Sequence, residues 1–205
     1  MKTMIAVPCL DMVHTAFMVS LLKLNKPAGT EIAVSSSSLV YDARHSLADR
    51  AIKLGCDRVL WLDSDMRFEP DLLERLSADL DQGYEFVTGL YFSRKDPVSP
   101  CVYGICHDVP DRYGRPVPTA EPIREIPDGL FEVEGCGFGA CMMKTELICR
   151  VGQLPFFPRD GYGEDLSFCR RARDAGVKIY CDSRIRADHI GLSIFNESQW
   201  KGATE

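Results

Sequence analysis

The chain has 205 residues, 45% of them hydrophobic, enough for a sizeable core in one domain spanning 1–205. Its net charge of −6 gives no electrostatic reason to expect tight binding to a nucleic-acid backbone, and Arg170, Arg171 and Arg173 read as a solvated helix face. No apolar run approaches the ~20 residues needed to cross a bilayer, no signal peptide is recognisable, and the nine cysteines are an odd number; reduced thiols in a cytoplasm are the expectation.

Met4 to Val7 is a short apolar run broken by Pro8, which predicts a buried first strand and a loop from Cys9 to His14. A helix through Phe17, Leu21 and Leu22 follows, then a strand at Ile32–Val34 running into four serines. From Ala43 to Leu54, apolar positions recur at helical spacing and Gly55 stands where a helix C-terminus belongs. The strand Val59–Leu62 comes next and stops at Asp63 and Asp65. Beyond Pro70, Leu72, Leu73, Leu76 and Leu80 make one face of a helix that Gly83 ends, and Phe86–Phe92 is a further strand.

Strands alternating with helices predict a mostly parallel, covered sheet with ligands at the carboxyl ends of its strands. The segment 96–128, rich in Pro, Gly and charge, reads as loops with a short hairpin around Tyr113-Gly114. Phe131–Glu134 alternates like a half-buried strand. The glycines of Gly135-Cys136-Gly137-Phe138-Gly139 lack dinucleotide-loop spacing, so they predict close backbone approach to a neighbour or ligand. A helix is expected at Thr145–Val151 with Thr145 as its cap, and another from Glu164 to Gly176. Val177–Cys181 reads as a strand, with Asp188-His189 following after a polar stretch. Cys101, Cys106, His107, Cys136 and Cys141 lack the close CxxC pairs of common zinc sites, which favours core packing over a zinc centre.

Three features bear on chemistry, each with two open readings. Asp63-Ser64-Asp65 is an acidic turn or a site for magnesium or manganese, and the two carboxylates serve one ligand only if the chain turns at Ser64. Glu164-Asp165, after the loop Gly161-Tyr162-Gly163, is N-terminal capping or a general base on a rigid element. His189 is a satisfied lone histidine or a further ligand to the ion.

In their order, Pro8, Asp42-Ala43-Arg44 before a helix, Leu60-Trp61-Leu62-Asp63-Ser64-Asp65, Gly135-Cys136-Gly137, Gly163-Glu164-Asp165 and His189 resemble glycosyltransferases of the GT-A fold, closest to compact family-2-like members often encoded by phages and bacteria. The resemblance spans Met4 to Gly191 and is weakest from Asp96 to Asp128. It implies a Rossmann-like three-layer α/β sandwich with a mostly parallel mixed central sheet, residues 1–95 holding a nucleotide sugar and 96–205 the acceptor. It also implies Mn2+ or Mg2+ on Asp65, Asp63 and His189, with Asp63 nearer the ribose. Pro8, Cys9 and Asp11 would lie by the base, and Asp42 and Arg44 would help hold the nucleotide. Asp165 would be the base of a hexosyl- or pentosyltransferase if it inverts, beside an acceptor-orienting Glu164; in a retaining enzyme the same pair would position substrates without acting as base.

A UDP-sugar is the favoured donor. The acceptor is left open among glycan, protein, small molecule and modified nucleobase in DNA, with Tyr91, Phe92, Arg94 and Trp200 as candidates for its side. His45 departs from the family, which commonly has asparagine after the arginine. The alternatives are nucleotidyl transfer onto a sugar phosphate and a non-catalytic sugar-nucleotide-binding module. A haloacid-dehalogenase-type phosphatase ranks lower, because Arg67 occupies the position where Thr or Val usually follows its paired aspartates.

Overall fold

The computed structural model describes residues 1–191, 194–197 and 200. In chain order the elements are β1 (Thr3–Cys9), α1 (Thr15–Lys23), β2 (Glu31–Ser36), α2 (Val40–Lys53), β3 (Arg58–Leu62), β4 (Met66–Phe68), α3 (Leu72–Asp81) and β5 (Phe86–Leu90). The second half contributes β6 (Val102–Pro110), β7 (Pro116–Pro122), β8 (Leu130–Val133), β9 (Gly135–Cys136), β10 (Ala140–Lys144), α4 (Thr145–Arg150), α5 (Glu164–Asp174), β11 (Ile179–Ile190) and β12 (Ile194–Phe195).

The main sheet runs β12-β11-β5-β10-β3-β1-β2, with β4 and β8 also paired to β11. From β11 to β2 only β10 runs against its neighbours; β11–β5, β3–β1 and β1–β2 are parallel. Strand residues alternate between two cores, as a period of two requires. Met4, Ala6, Val59, Trp61, Cys141 and Met143 face α2, α4 and α5, whose Leu47, Ala51, Leu147, Phe168 and Ala172 join the same cluster. Ile5, Val7, Leu60, Leu62, Ala140 and Met142 face α1 and α3 through Phe17, Leu21, Leu72, Leu76 and Leu80. The result is a helix–sheet–helix sandwich with a mostly parallel mixed sheet.

Several sequence expectations are corrected. The 96–128 segment is largely a long antiparallel ribbon, β6 against β7, although its turn falls at Tyr113-Gly114 as anticipated. Proline at positions 110, 116, 118 and 122 masked the alternation; the ribbon accommodates it because β7, which carries three of them, is an edge strand and Pro110 is the last residue of β6. Asp42-Ala43-Arg44 lies inside α2, which begins at Val40. Thr145 is the first helical residue, and its buried hydroxyl has no hydrogen-bond partner among the described residues. The polar stretch before His189 belongs to one continuous β11, bent where its pairing to β5 shifts between Asp182 and Arg186. Burial of Asp182 and Ser183, paired to Arg184 and to Gly129, explains why polar residues sit within that strand.

The basic residues of α5 are docking contacts rather than a solvated face. Arg170 pairs with Asp108 at 3.1 Å and Arg173 with Glu134 at 3.1 Å, tying the helix to the ribbon and its neighbour. Cys136 and Cys141 pack in the core, and Cys106 in a smaller cluster with Tyr162 and Leu166.

The glycine run approaches a neighbour, and the neighbour is Tyr91. A Cβ on Gly137 would stand 2.0 Å from the Tyr91 hydroxyl oxygen, and one on Gly139 would stand 2.8 Å from its ring. The Gly139 N–H donates to that oxygen at 3.0 Å. Gly137→Ala is therefore expected to destabilise by ~2–3 kcal/mol, lowering the melting temperature by ~5–10 °C. Calorimetry of the variant at the wild-type melting temperature would contradict this packing if it stayed folded.

Candidate functional site

A cavity of about 430 Å3 opens at the carboxyl ends of β1, β3 and β5. Its wall includes Pro8 and Cys9 from β1, Asp63 and Asp65 after β3, and Tyr91 and Arg94 after β5. The second half supplies Glu164 and Asp165 from the first turn of α5 and His189 from β11. Asp11 and Asp42 are exposed and do not line it. Two residues along a helix point ~200° apart, so with Arg44 turned inward Asp42 faces out.

The chain does turn at Ser64, which lets both aspartates meet one space. Met66 N–H donates to the Asp63 carbonyl at 3.2 Å, closing the turn. Flanking strands pin it: Asp63 N–H donates to Gly139 at 3.1 Å, and Ile190 N–H to the Asp65 carbonyl at 2.7 Å. These bonds belong to the backbone, so the turn is built whatever the side chains bind.

Arg44 is the most buried charged group among the described residues, 1% exposed. Nη2 donates to Asp63 Oδ1 at 2.8 Å and Nε to Glu164 Oε1 at 3.2 Å, while its carbon lies 5.2 Å and 5.6 Å from the Phe138 and Trp61 ring centres. Burial alone would lower its pKa; Asp63 and Glu164 outweigh that and raise it, so the charge is fixed. The guanidinium thus holds two carboxylates of the cavity wall. His45, the departure from the family pattern, accepts the Phe156 N–H on Nε2 at 3.2 Å and anchors the loop before α5.

Asp65 Oδ2 lies 2.8 Å from Arg94 Nη1 and 3.4 Å from His189 Nε2. Burial pushes the Asp65 pKa up, but the hydrogen bond and charge of His189, with Arg94, hold it below the usual carboxylate range. His189 Nδ1 lies 3.0 Å from the Phe92 carbonyl, which only accepts, so Nδ1 carries the proton in that bond. Nε2 is turned toward the Asp65 carboxylate, and the two groups would hold a divalent cation placed between them. Two donors fit a hard divalent ion in this way. Among the described residues no three His, Cys, Asp or Glu side chains converge on one point, so substrate oxygens or water would complete its shell.

Asp165 has its pKa raised to about 6, first by burial and then by the adjacent Glu164. Its Oδ1 accepts the Leu166 N–H at 2.7 Å, which opposes the shift. Burial pushes the Cys101 thiol on the same wall up to about 12, making it a poor nucleophile.

Sequence reading missed Tyr103 and Phe138 in the wall, and it placed Arg94 on the acceptor side without its ion pair to Asp65. Position at the carboxyl end of β5 was the available signal for Arg94. Phe92 is core, 5.5 Å from the Trp200 ring, and Tyr91 forms part of the wall.

No protein-family model and no curated protein matches the sequence. Among solved structures, A197 from STIV is similar over 96% of this chain and 94% of its own, with TM-score 0.71 and 21% identity. GalNAc-T7, solved with UDP, GalNAc and Mn2+, is similar over 97% of this chain, with TM-score 0.62 and 12% identity. This chain spans 44% of the length of that structure. The likeness extends to the layers and sheet described above, and the fold is GT-A.

The raised pKa of Asp165 carries a stability consequence. Below about pH 4 the carboxyl is protonated folded or unfolded and contributes nothing. As pH rises toward 6 the unfolded chain ionises first, so the folded state loses stability and stays penalised above 6. Asp165→Asn is expected to be more stable than wild type by on the order of 2 kcal/mol at pH 7.5, converging with it near pH 4. Denaturant melts at both pH values test this, and an Asn variant less stable at pH 7.5 contradicts it.

Proposed function

We propose that the protein is a glycosyltransferase that moves a sugar from a nucleoside-diphosphate sugar, a UDP-sugar in first place, to an acceptor hydroxyl, with Mn2+ or Mg2+ as cofactor. One observation carries the reading: Asp65 with His189, donors suited to a hard divalent ion, and Asp165 with Glu164 face a single cavity at the carboxyl ends of parallel strands. The GT-A likeness, including a neighbour solved with UDP and Mn2+, supports it.

In this reading Pro8 and Cys9 lie beside the base, and Asp63, fixed by Arg44 through Oδ1, faces the ribose through its other oxygen. Asp65 and His189 hold the ion. When bound, the ion neutralises charge that develops on the departing diphosphate. The acceptor oxygen bonds to the anomeric carbon from the face opposite the departing diphosphate oxygen as that bond breaks, which inverts the centre, and Asp165 takes the hydroxyl proton. A carboxyl with pKa about 6 is a stronger base than an ordinary one and is still ionised at neutral pH. Glu164 is held by Arg44 through Oε1 and orients the acceptor.

The test is a donor screen by thermal protection, using UDP-, GDP-, ADP- and CMP-sugars with and without Mn2+. At least one is expected to protect, more strongly with the ion. With that donor, Asp165→Asn is expected to lose ~100-fold or more of the rate of transfer or donor hydrolysis while still binding it, and the wild-type rate to rise through about pH 6. Absence of donor protection and turnover in wild type with Mn2+ would defeat the proposal. Turnover undiminished in Asp165→Asn would remove its base.

A further inference from the structure

Arg94 opens the loop after β5, and its guanidinium turns back toward the cavity although its side chain is 46% exposed. Nη1 is 2.8 Å from Asp65 Oδ2 and 3.3 Å from the Ile190 carbonyl. The oxygen that it meets is also the one nearest His189 Nε2, at 3.4 Å. Asp65 and His189 would hold a divalent ion in the space that this guanidinium faces. Ion and guanidinium therefore compete for the same lone pairs, and each repels the other.

We infer that Arg94 is a positioning residue that stands in for the divalent ion at Asp65 and yields when a diphosphate arrives with the ion to take the guanidinium. The inference rests on the proposed function of this same site. Without a cation Asp65 would be a half-buried carboxylate at the cavity wall, and Arg94 pairs with it. The backbone need not move for the exchange. Ser93 N–H donates to the Ser99 carbonyl at 2.8 Å, the two serine hydroxyls lie 3.2 Å apart, and Phe92 bridges to Pro100, so the base of the loop is clasped. Rotation of the side chain leaves a planar, forked donor at the cavity rim, a shape that matches phosphate oxygens two at a time.

The energetic consequence is a coupling. An ion arriving alone must displace a bonded cation and leave it nearby with no replacement anion. An ion arriving with a diphosphate exchanges one anionic partner of Arg94 for another. Ion and nucleotide thus bind with positive cooperativity, and Arg94 is its source.

Arg94→Ala separates this role from a general structural one. Mn2+ alone is titrated into wild-type and variant protein, free ion being followed by its electron paramagnetic resonance signal, and UDP binding at saturating Mn2+ is measured by equilibrium dialysis. The variant is expected to bind Mn2+ alone about fivefold or more tighter, and UDP with Mn2+ about fivefold or more weaker. Structural damage would weaken both. Arg94→Lys, which keeps the charge, is expected to retain the weak ion binding of wild type. Mn2+ affinity unchanged or lowered in Arg94→Ala, or UDP binding undiminished, overturns the inference. Failure of wild type and variant alike to take up Mn2+ or UDP overturns the metal-and-diphosphate reading itself, and the inference with it.

Discussion

The site depends on one buried positive charge. Arg44 reaches from α2 to the end of β3 and to the first turn of α5, bonding Asp63 and Glu164 at once. Three elements far apart in sequence are set against one another by a group that stays charged at any ordinary pH. Removing the guanidinium would leave two carboxylates facing each other across a partly dry wall, with a cost of about 3–5 kcal/mol when one partner of a buried pair is lost. The aromatic rings of Trp61 and Phe138 against its face add cation–π attraction and exclude water.

This arrangement divides the labour among four acids. Asp63 and Glu164 are engaged by Arg44, Asp65 by His189 and Arg94, and among the described residues Asp165 has no cationic partner within hydrogen-bonding distance. Asp165 has its pKa raised toward neutrality while Asp65 is held below the usual carboxylate range, and both lie on the same wall. Environment rather than residue type separates the carboxyl with the raised pKa from the one held low beside Arg94 and His189.

Much of the fold was legible because apolar periodicity and terminal glycines are local signals. Gly55 and Gly83, both at positive φ just past α2 and α3, mark those helix ends in sequence and structure alike. What escaped was non-local. The β6–β7 ribbon hid behind prolines that only an edge strand admits, and β11 hid behind Asp182 and Ser183, whose burial depends on partners elsewhere in the chain. The turn at Ser64 was readable from the clash between strand alternation and shared ligation. The inward guanidinium of Arg44 was not, because its partners are 19 and 120 residues away.

The placement of β10 and β11 bears on how such a chain acquires its site during synthesis. β3 and β5 leave a gap that residues 140–144 fill, and β11 must then pair along β5 and β4 before His189 comes opposite Met66. The first ninety residues therefore emerge with an interrupted sheet whose open strand edges wait for segments made later. Asp63 and Asp65 exist early, but the carboxyl pair of α5 and the histidine join them only once residues 164–189 have been made. Partial chains accordingly lack the paired ends of the cavity, and such long-range pairing makes folding of the central sheet intrinsically slow.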